Sequence, residues 1–94
     1  MPEPKIERRT IHFSGSVQGV GFRYSTVAAA QGIAVQGFVQ NLPDGRVLVV
    51  AEGTAGELNR FLATLKSRME SNIHDVKTDI GAPSGEFNQF DIRY

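Results

Sequence analysis

The chain has no cysteine among its 94 residues. Disulfide bonds and thiolate metal sites are therefore excluded, and packing alone must stabilise the fold. The only two histidines, His12 and His74, lie far apart and belong to no spaced set of metal ligands. Neither a metal site nor a cofactor is expected.

The sequence also lacks an excess of either charge, because 10 Lys and Arg balance 10 Asp and Glu. Sequence-independent binding of nucleic acid needs surplus positive charge to neutralise phosphates, so no nucleic-acid partner is expected. No apolar run approaches the roughly 18 residues of a membrane span, and the start, MPEPKIERRT, lacks the apolar stretch of a secretory signal. These absences predict a cytoplasmic protein with no membrane partner, and a monomer is expected.

Length and composition predict one domain. A chain of 94 residues, 40% of them hydrophobic, can bury one modest core but not two. Residues 1–94 are therefore expected to form a single domain. Residues 1–9 are rich in charge and proline, which predicts a loosely ordered lead-in with solvated charges.

Hydrophobic periodicity and turn residues predict the fold class. Strand-like alternation and helical spacing follow one another along the chain, with a capping box at Thr54 and Glu57 before the second helix. The predicted elements are a strand at 11–15, a helix at 22–31, two strands at 35–40 and 46–53, a helix at 54–69, a strand around 76–80 and a short strand at 90–94. This order predicts an α+β fold, a ferredoxin-like βαββαβ sandwich with two helices on one face of an antiparallel sheet and a short extra C-terminal strand.

The stretch GSVQGVGFRY, residues 15–24, places three glycines between the first strand and the first helix. Glycines there allow successive backbone N–H groups to form a concave anion site, assisted by the positive end of the helix dipole. A tight strand-to-helix connection is the other interpretation. The spacing fits neither a P-loop nor a Rossmann turn, because no Gly-Lys-Ser/Thr follows and the third glycine of the Rossmann pattern is replaced by Tyr24.

Arg23 lies in the first turn of the predicted helix, where a cation faces the positive end of the dipole. A cation at this position is electrostatically unfavourable. A bound anion would compensate for that cost, since a guanidinium can hold a phosphate with two parallel hydrogen bonds. A solvated surface arginine is the alternative.

Asn41 ends the second predicted strand, immediately before LPDG. Asparagine is common at the first position of a turn, where its side chain bonds the following backbone. A functional role depends on whether the fold brings this strand end near the glycine loop.

Two long stretches resemble the acylphosphatase family. GSVQGVGFR is similar to the family's phosphate-loop pattern, and GFVQNLPDGRVLVVAEG to its second pattern. The similarity is good from about residue 11 to 53 and weak from 54 to 89. The matching positions are Gly15, Val17, Gln18, Gly19, Val20, Phe22 and Arg23 in the first pattern, and Gly37, Phe38, Asn41, Gly45, Val47 and Gly53 in the second.

The resemblance implies an enzyme, an acylphosphatase. It would hydrolyse the carboxyl–phosphate anhydride of a small acyl phosphate without a metal, and release carboxylate and inorganic phosphate. Arg23 and Asn41 would be catalytic. The loop residues would bind phosphate: Ser16, Val17, Gln18, Gly19, Val20, Gly21 and Phe22. Ser16 and Gln40 stand where many relatives carry basic residues, which is expected to weaken the attraction of anionic substrates.

Two other functions are compatible with this order of elements. A non-catalytic module that binds a phosphorylated metabolite, similar to carbamoyl phosphate, is the main alternative. RNA-recognition domains share the order as well, but they stack bases on aromatic residues of the central strands. The segment 46–53 has no aromatic residue, so RNA binding is not favoured.

Overall fold

The structure, a computed structural model, describes residues 5–94. Its elements follow the predicted order, and a short 3₁₀ turn, Glu70–Asn72, lies after the second helix. The helix predicted at 22–31 ends one residue earlier, at Ala30, and Gly32 has the predicted positive φ just beyond it. The elements are β1 Ile6–Gly15, α1 Phe22–Ala30, β2 Gln36–Asn41, β3 Val47–Thr54, α2 Ala55–Met69, β4 Ile73–Gly81 and β5 Phe90–Arg93.

The five strands form one sheet in the order β4-β1-β3-β2-β5. Neighbouring strands are antiparallel except β5, which runs parallel to β2. Both helices pack on one face of this sheet. The prediction of a ferredoxin-like sandwich with an extra C-terminal strand is confirmed.

The core lies between the helices and the sheet. The apolar residues that repeat along α2 at helical spacing are all buried, as their periodicity predicts. They are Leu58, Phe61, Leu62, Leu65 and Met69.

The start of the chain differs from the prediction. Residues 1–4 of the expected lead-in lie outside the described residues. Residues 6–9, expected to be loosely ordered, belong to β1, where residues 6–9 pair with β3 and residues 8–9 also with β4. The charge of Arg8 is not simply solvated either, because Arg8 Nε donates to Glu52 Oε2 at 2.7 Å. Cross-strand pairing, which no local pattern reveals, orders this segment.

Glu52 is a buried carboxylate that fastens the loop after β4 to the sheet face without helices. It is 4% exposed, and it accepts hydrogen bonds from Ser84 N at 2.8 Å and from Gly85 N at 3.0 Å. Burial alone raises the pKa of Glu52, but the hydrogen bonds from Ser84, Arg8 and Gly85 outweigh it and lower the pKa from 4.5 to about 2. The ionised form is therefore the one that stabilises the fold.

This lowered pKa makes the stability depend on pH. Because the pKa of Glu52 is lower in the folded state than in the unfolded state, the ionised carboxylate stabilises the fold fully above about pH 4.5. This stabilisation is lost as the pH falls towards 2. Between pH 7 and pH 3 we expect Glu52 to account for about 2 kcal/mol of the fall in unfolding free energy. In Glu52→Gln the unfolding free energy should fall by about 2 kcal/mol less between pH 7 and pH 3 than it does in the wild type. Urea unfolding at both pH values measures this difference. Glu70→Gln, at an exposed carboxylate with no ion pair in the range 5–94, is the matched control and should keep the wild-type pH dependence. The same pH dependence in both variants would refute the role of Glu52.

Candidate active site

The glycine loop between β1 and α1 is anchored in the core at both of its ends. The side chain of Val17 is fully buried, and that of Phe22 is 2% exposed. The Phe22 ring packs on Phe13 of β1, with ring centroids 5.1 Å apart. The intervening residues 18–21 are exposed. The loop is thus held by its ends and presents its middle to solvent.

The backbone of this loop has the conformation that the glycines predicted. Gly19 and Gly21 have φ values of 76° and 78°, and Gly21 is the N-cap of α1. No side chain caps the helix, and the N–H groups of residues 17–22 donate no hydrogen bond to any described residue. Such donors at a helix N-terminus suit an anion.

Gln18 ties the loop to the hairpin that follows Asn41. Its Nε2 donates to Leu42 O at 2.8 Å and to Arg46 O at 2.9 Å. The same two residues close the turn, since Leu42 N donates to Arg46 O at 2.8 Å. This side chain therefore sets the distance between the glycine loop and the end of β2.

Removing the Gln18 amide should loosen this connection. We expect Gln18→Ala to lower kcat/KM roughly tenfold for the acyl phosphate substrate that the resemblance implies, because a small misplacement of reacting groups is costly. Gln18→Glu should lower it at least as much, since a carboxylate cannot donate to two carbonyls. Steady-state kinetics at pH 7 measures both, and a Gln18→Glu enzyme with wild-type kcat/KM would show that the two hydrogen bonds do not matter.

Arg23 and Asn41, far apart in sequence, line the same small cavity. Its volume is about 90 Å³, and residues of the glycine loop and of the first turn of α1 form the rest of its wall. The Oδ1 atom of Asn41 is buried and accepts no hydrogen bond from any described residue. An unpaired buried acceptor costs free energy, which a ligand or water molecule that donates to it would recover.

The cavity contains most of the predicted site residues but not all of them. Ser16, Gln18 and Val20 do not line it, although they lie in the same loop. Ser16 O instead accepts from Asn72 Nδ2 at 3.1 Å. The predicted residues that line the cavity are Val17, Gly19, Gly21, Phe22, Arg23 and Asn41.

Two tyrosines at the site were missed from the sequence. Tyr24 lines the cavity and is 70% exposed. The Tyr94 ring lies against Arg23, with the guanidinium carbon 5.0 Å from the ring centroid, which is a cation–π contact. Tyr24 could have been found as the neighbour of Arg23 in the loop motif, whereas Tyr94 reaches Arg23 only because β5 pairs with β2.

A larger cavity of about 350 Å³ lies elsewhere, beside Phe38 and Arg93. It shares no residue with the cavity of Arg23 and Asn41. Size alone would favour it, but it has no backbone donors at a helix start. The smaller cavity is the better candidate because Arg23, Asn41 and residues of the glycine loop whose N–H groups have no partner all line it.

The side chains and helices of residues 5–94 bear on possible partners. No group of three or more His, Cys, Asp or Glu side chains in that range is placed to hold a metal ion. None of the helices in that range has the length and apolar character needed to cross a membrane.

Comparison with known proteins decides the family. The acylphosphatase family model matches residues 9–92. The chain belongs to the acylphosphatase family. The acylphosphatase of Acaryochloris marina is 44% identical over 84% of this chain and 85% of that protein. The acylphosphatase of Paenarthrobacter aurescens is 38% identical over 90% of this chain and 92% of that protein.

Solved structures agree with this membership. The crystal structure of the acylphosphatase from Bacillus subtilis superimposes with a TM-score of 0.82 at 30% identity, over 94% of this chain and 99% of that chain. Full-length HypF, in its phosphate- and nucleotide-bound form, matches with a TM-score of 0.82 at 26% identity, but this chain covers only 12% of it. The activity of the chain is that of an acylphosphatase, and a non-catalytic binding module is not favoured.

Proposed function

We propose that the cavity of Arg23 and Asn41 is the active site, and that it hydrolyses small acyl phosphates by direct attack of water on phosphorus. Arg23 and the N–H groups of residues 16–22 bind the phosphate, and Asn41 orients the water. The observation that carries this proposal is that Arg23, Asn41 and the glycine loop line one cavity.

Phosphate binding is assigned to the glycine loop because its donors have no other partner. The N–H groups of residues 17–22 make no hydrogen bond within the described chain, and they lie at the positive end of the α1 dipole. Arg23 adds a full charge and two parallel donors. Because phosphoryl transfer proceeds through a loose transition state, charge stabilisation on the equatorial oxygens supplies most of the catalysis.

Water orientation is assigned to Asn41 because its amide is neutral. A carboxylate at this position would repel the anionic phosphate, whereas an amide can donate to water and accept from it. The Oδ1 atom has no hydrogen-bond partner among the described residues, and a hydrogen bond from the attacking water would satisfy it.

The leaving group needs little assistance. The water oxygen forms a bond to phosphorus while the bond between phosphorus and the acyl oxygen breaks, and the electron pair leaves with the carboxylate. A carboxylate is a weak base, so no general acid has to protonate it. None of the residues that line the cavity is an Asp, Glu or His. The proton of the attacking water ends on the phosphate product or in solvent.

The site is shallow enough that only the phosphate needs to enter it. A volume of about 90 Å³ accommodates a phosphoryl group, while the acyl part extends past the exposed Tyr24. Small acyl phosphates are therefore the proposed substrates and inorganic phosphate a product. A monomeric state and a cytoplasmic location stay predictions.

Hydrolysis of benzoyl phosphate by the purified protein, with a chelator present, tests the reaction. We expect full turnover with the chelator and, in ¹⁸O-labelled water, label in the phosphate rather than in the benzoate. Loss of turnover on chelation would contradict the proposed metal independence. Label in benzoate would show attack on the carbonyl carbon instead of phosphorus.

A further inference from the structure

The 3₁₀ turn that follows α2 lies against the start of the glycine loop. Its last residue, Asn72, comes directly before β4, and the first residue of β4, Ile73, pairs with Gly15. The register between β1 and β4 shifts between Ser14 and Gly15, which is typical of a β-bulge. The pairing of these strands therefore brings Asn72 beside the residue at which the loop leaves the sheet.

The turn and the loop are in close backbone contact at Gly15. A Cβ atom added at Gly15 would lie 2.5 Å from Asn72 O and 2.8 Å from His74 N, closer than Cβ atoms approach other atoms in proteins. Gly15 also has a φ of 128°, which residues with a side chain rarely adopt. Glycine at this position is therefore what allows the turn to lie so close to the loop.

The side chain of Asn72 forms a hydrogen bond to the loop backbone. Its Nδ2 atom donates to Ser16 O at 3.1 Å. Its Oδ1 atom lies 3.5 Å from Ser71 Oγ, which fits the same orientation of the amide because a hydroxyl can donate to that oxygen. The amide thus holds the carbonyl of the peptide that joins Ser16 to Val17.

This hydrogen bond fixes the direction of the Val17 N–H group. The C=O and N–H groups of a planar trans peptide point in opposite directions, so the Val17 N–H points away from Asn72. It donates to no described residue, and Val17 lines the cavity of Arg23 and Asn41. Because the Val17 side chain is fully buried, rotation of the peptide plane is the main freedom left at this point. Asn72 restrains that rotation.

We propose that Asn72 is a positioning residue for phosphate binding, which holds the Ser16 carbonyl so that the Val17 N–H stays directed at the phosphate. Asn72 does not line the cavity, so it acts through the loop backbone. Gln18 ties the same loop to the hairpin after β2, and Asn72 ties it to the turn before β4. The inference rests on the proposed function, because it takes the loop N–H groups as the phosphate donors.

Variants of Asn72 test whether the donor matters. Asn72→Ala should raise the inhibition constant of inorganic phosphate, and lower kcat/KM for benzoyl phosphate, about fivefold, because one neutral hydrogen bond is lost. Asn72→Asp should change both at least about tenfold, since a carboxylate cannot donate to Ser16 O and repels it. Asn72→Gln keeps an amide donor and should return both to within about twofold of wild type.

Ser71→Asp is the matched control for the added charge. It places a carboxylate one residue away but leaves the Asn72 amide in place, so both constants should stay within about twofold of wild type. A circular dichroism spectrum of each variant shows that it is folded.

NMR titration of the ¹⁵N-labelled protein with inorganic phosphate separates positioning from a general effect on the fold. In the wild type the backbone amides of Val17, Gly19 and Gly21 should shift saturably. In Asn72→Ala the shift of the Val17 amide at saturation should shrink, whereas the shifts of Gly19 and Gly21 should keep their size. A general loosening of the fold would instead change all three amides alike.

The titration distinguishes failure of this inference from failure of the proposed function. If the wild-type loop amides respond to phosphate but Asn72→Ala keeps the wild-type inhibition constant and the wild-type shift of Val17, the role of Asn72 is overturned and the proposed function stands. If no loop amide of the wild type responds to phosphate, the proposed function fails and the role of Asn72 fails with it.

Discussion

Replacing Arg23 with alanine is expected to lower kcat/KM for benzoyl phosphate at least about 100-fold. The loss corresponds to roughly 3 kcal/mol of transition-state stabilisation, similar to the loss of a strong oxyanion donor. Arg23 lines the cavity beside the unpaired N–H groups at the start of α1, where its charge has no acidic partner in the described chain. Its removal should therefore weaken inhibition by inorganic phosphate as well as turnover.

Two further variants separate charge from geometry. Arg23→Lys keeps the charge but loses the planar pair of donors, so its kcat/KM should fall between those of wild type and Arg23→Ala. Arg60→Ala is the matched control, because Arg60 lies on the surface of α2 with its side chain 65% exposed. We expect wild-type kinetics for the control. A folded Arg23→Ala enzyme within about threefold of wild-type kcat/KM would remove Arg23 from the mechanism.

Replacing Asn41 with alanine should have the second largest effect, and it should affect kcat rather than phosphate binding. We expect kcat to fall at least about 100-fold because the attacking water loses its orientation. The inhibition constant of inorganic phosphate should stay within about threefold of wild type, since the glycine loop and Arg23 remain. Steady-state kinetics with benzoyl phosphate and phosphate as inhibitor measures both quantities.

The unfolding free energy of Asn41→Ala gives an independent test of the role of Asn41. The Oδ1 atom of Asn41 is buried without a partner among the described residues, so its removal should not lower the unfolding free energy by more than about 1 kcal/mol. Gln36→Ala, at the other end of β2, is the control and should retain turnover. An Asn41→Ala enzyme that loses phosphate binding and turnover together would point to a role in the binding loop instead of a role at the water.

The glycine loop and Arg23 could be predicted from sequence because their signal is local. Three glycines, an apolar residue at each end and a cation at the helix start all lie within GSVQGVGFRY. The conformation of the loop follows from these residues, as the positive φ values of Gly19 and Gly21 confirm. Such a stretch can be interpreted without knowledge of the tertiary fold.

Asn41 and Tyr94 depend instead on which strands lie side by side. Asn41 reaches the cavity because β2 ends next to the glycine loop, where Gln18 holds the hairpin turn. Tyr94 reaches Arg23 because β5 pairs with β2 in parallel. From the sequence it was possible to ask whether Asn41 lies near the glycine loop. Nothing in the sequence indicated that Tyr94 contacts Arg23.

The buried hydrogen bonds of Glu52 could not be predicted from the sequence for a related reason. Its partners, Arg8 and the backbone of residues 84–85, are distant in sequence and only the fold brings them together. A glutamate within an apolar run, RVLVVAEG, was the only available sign of a buried carboxylate. Hydrophobic periodicity locates the apolar core, but it does not identify polar side chains that are buried together with their hydrogen-bond partners.

The most direct test of the proposed site is an NMR titration of the ¹⁵N-labelled protein with inorganic phosphate. We expect saturable shifts of the backbone amides of residues 16–22, of Arg23 Nε and of the Asn41 side-chain amide. In Arg23→Ala the same amides should shift only at much higher phosphate concentration. Shifts that map instead to the cavity beside Phe38 and Arg93 would contradict the assignment of the active site.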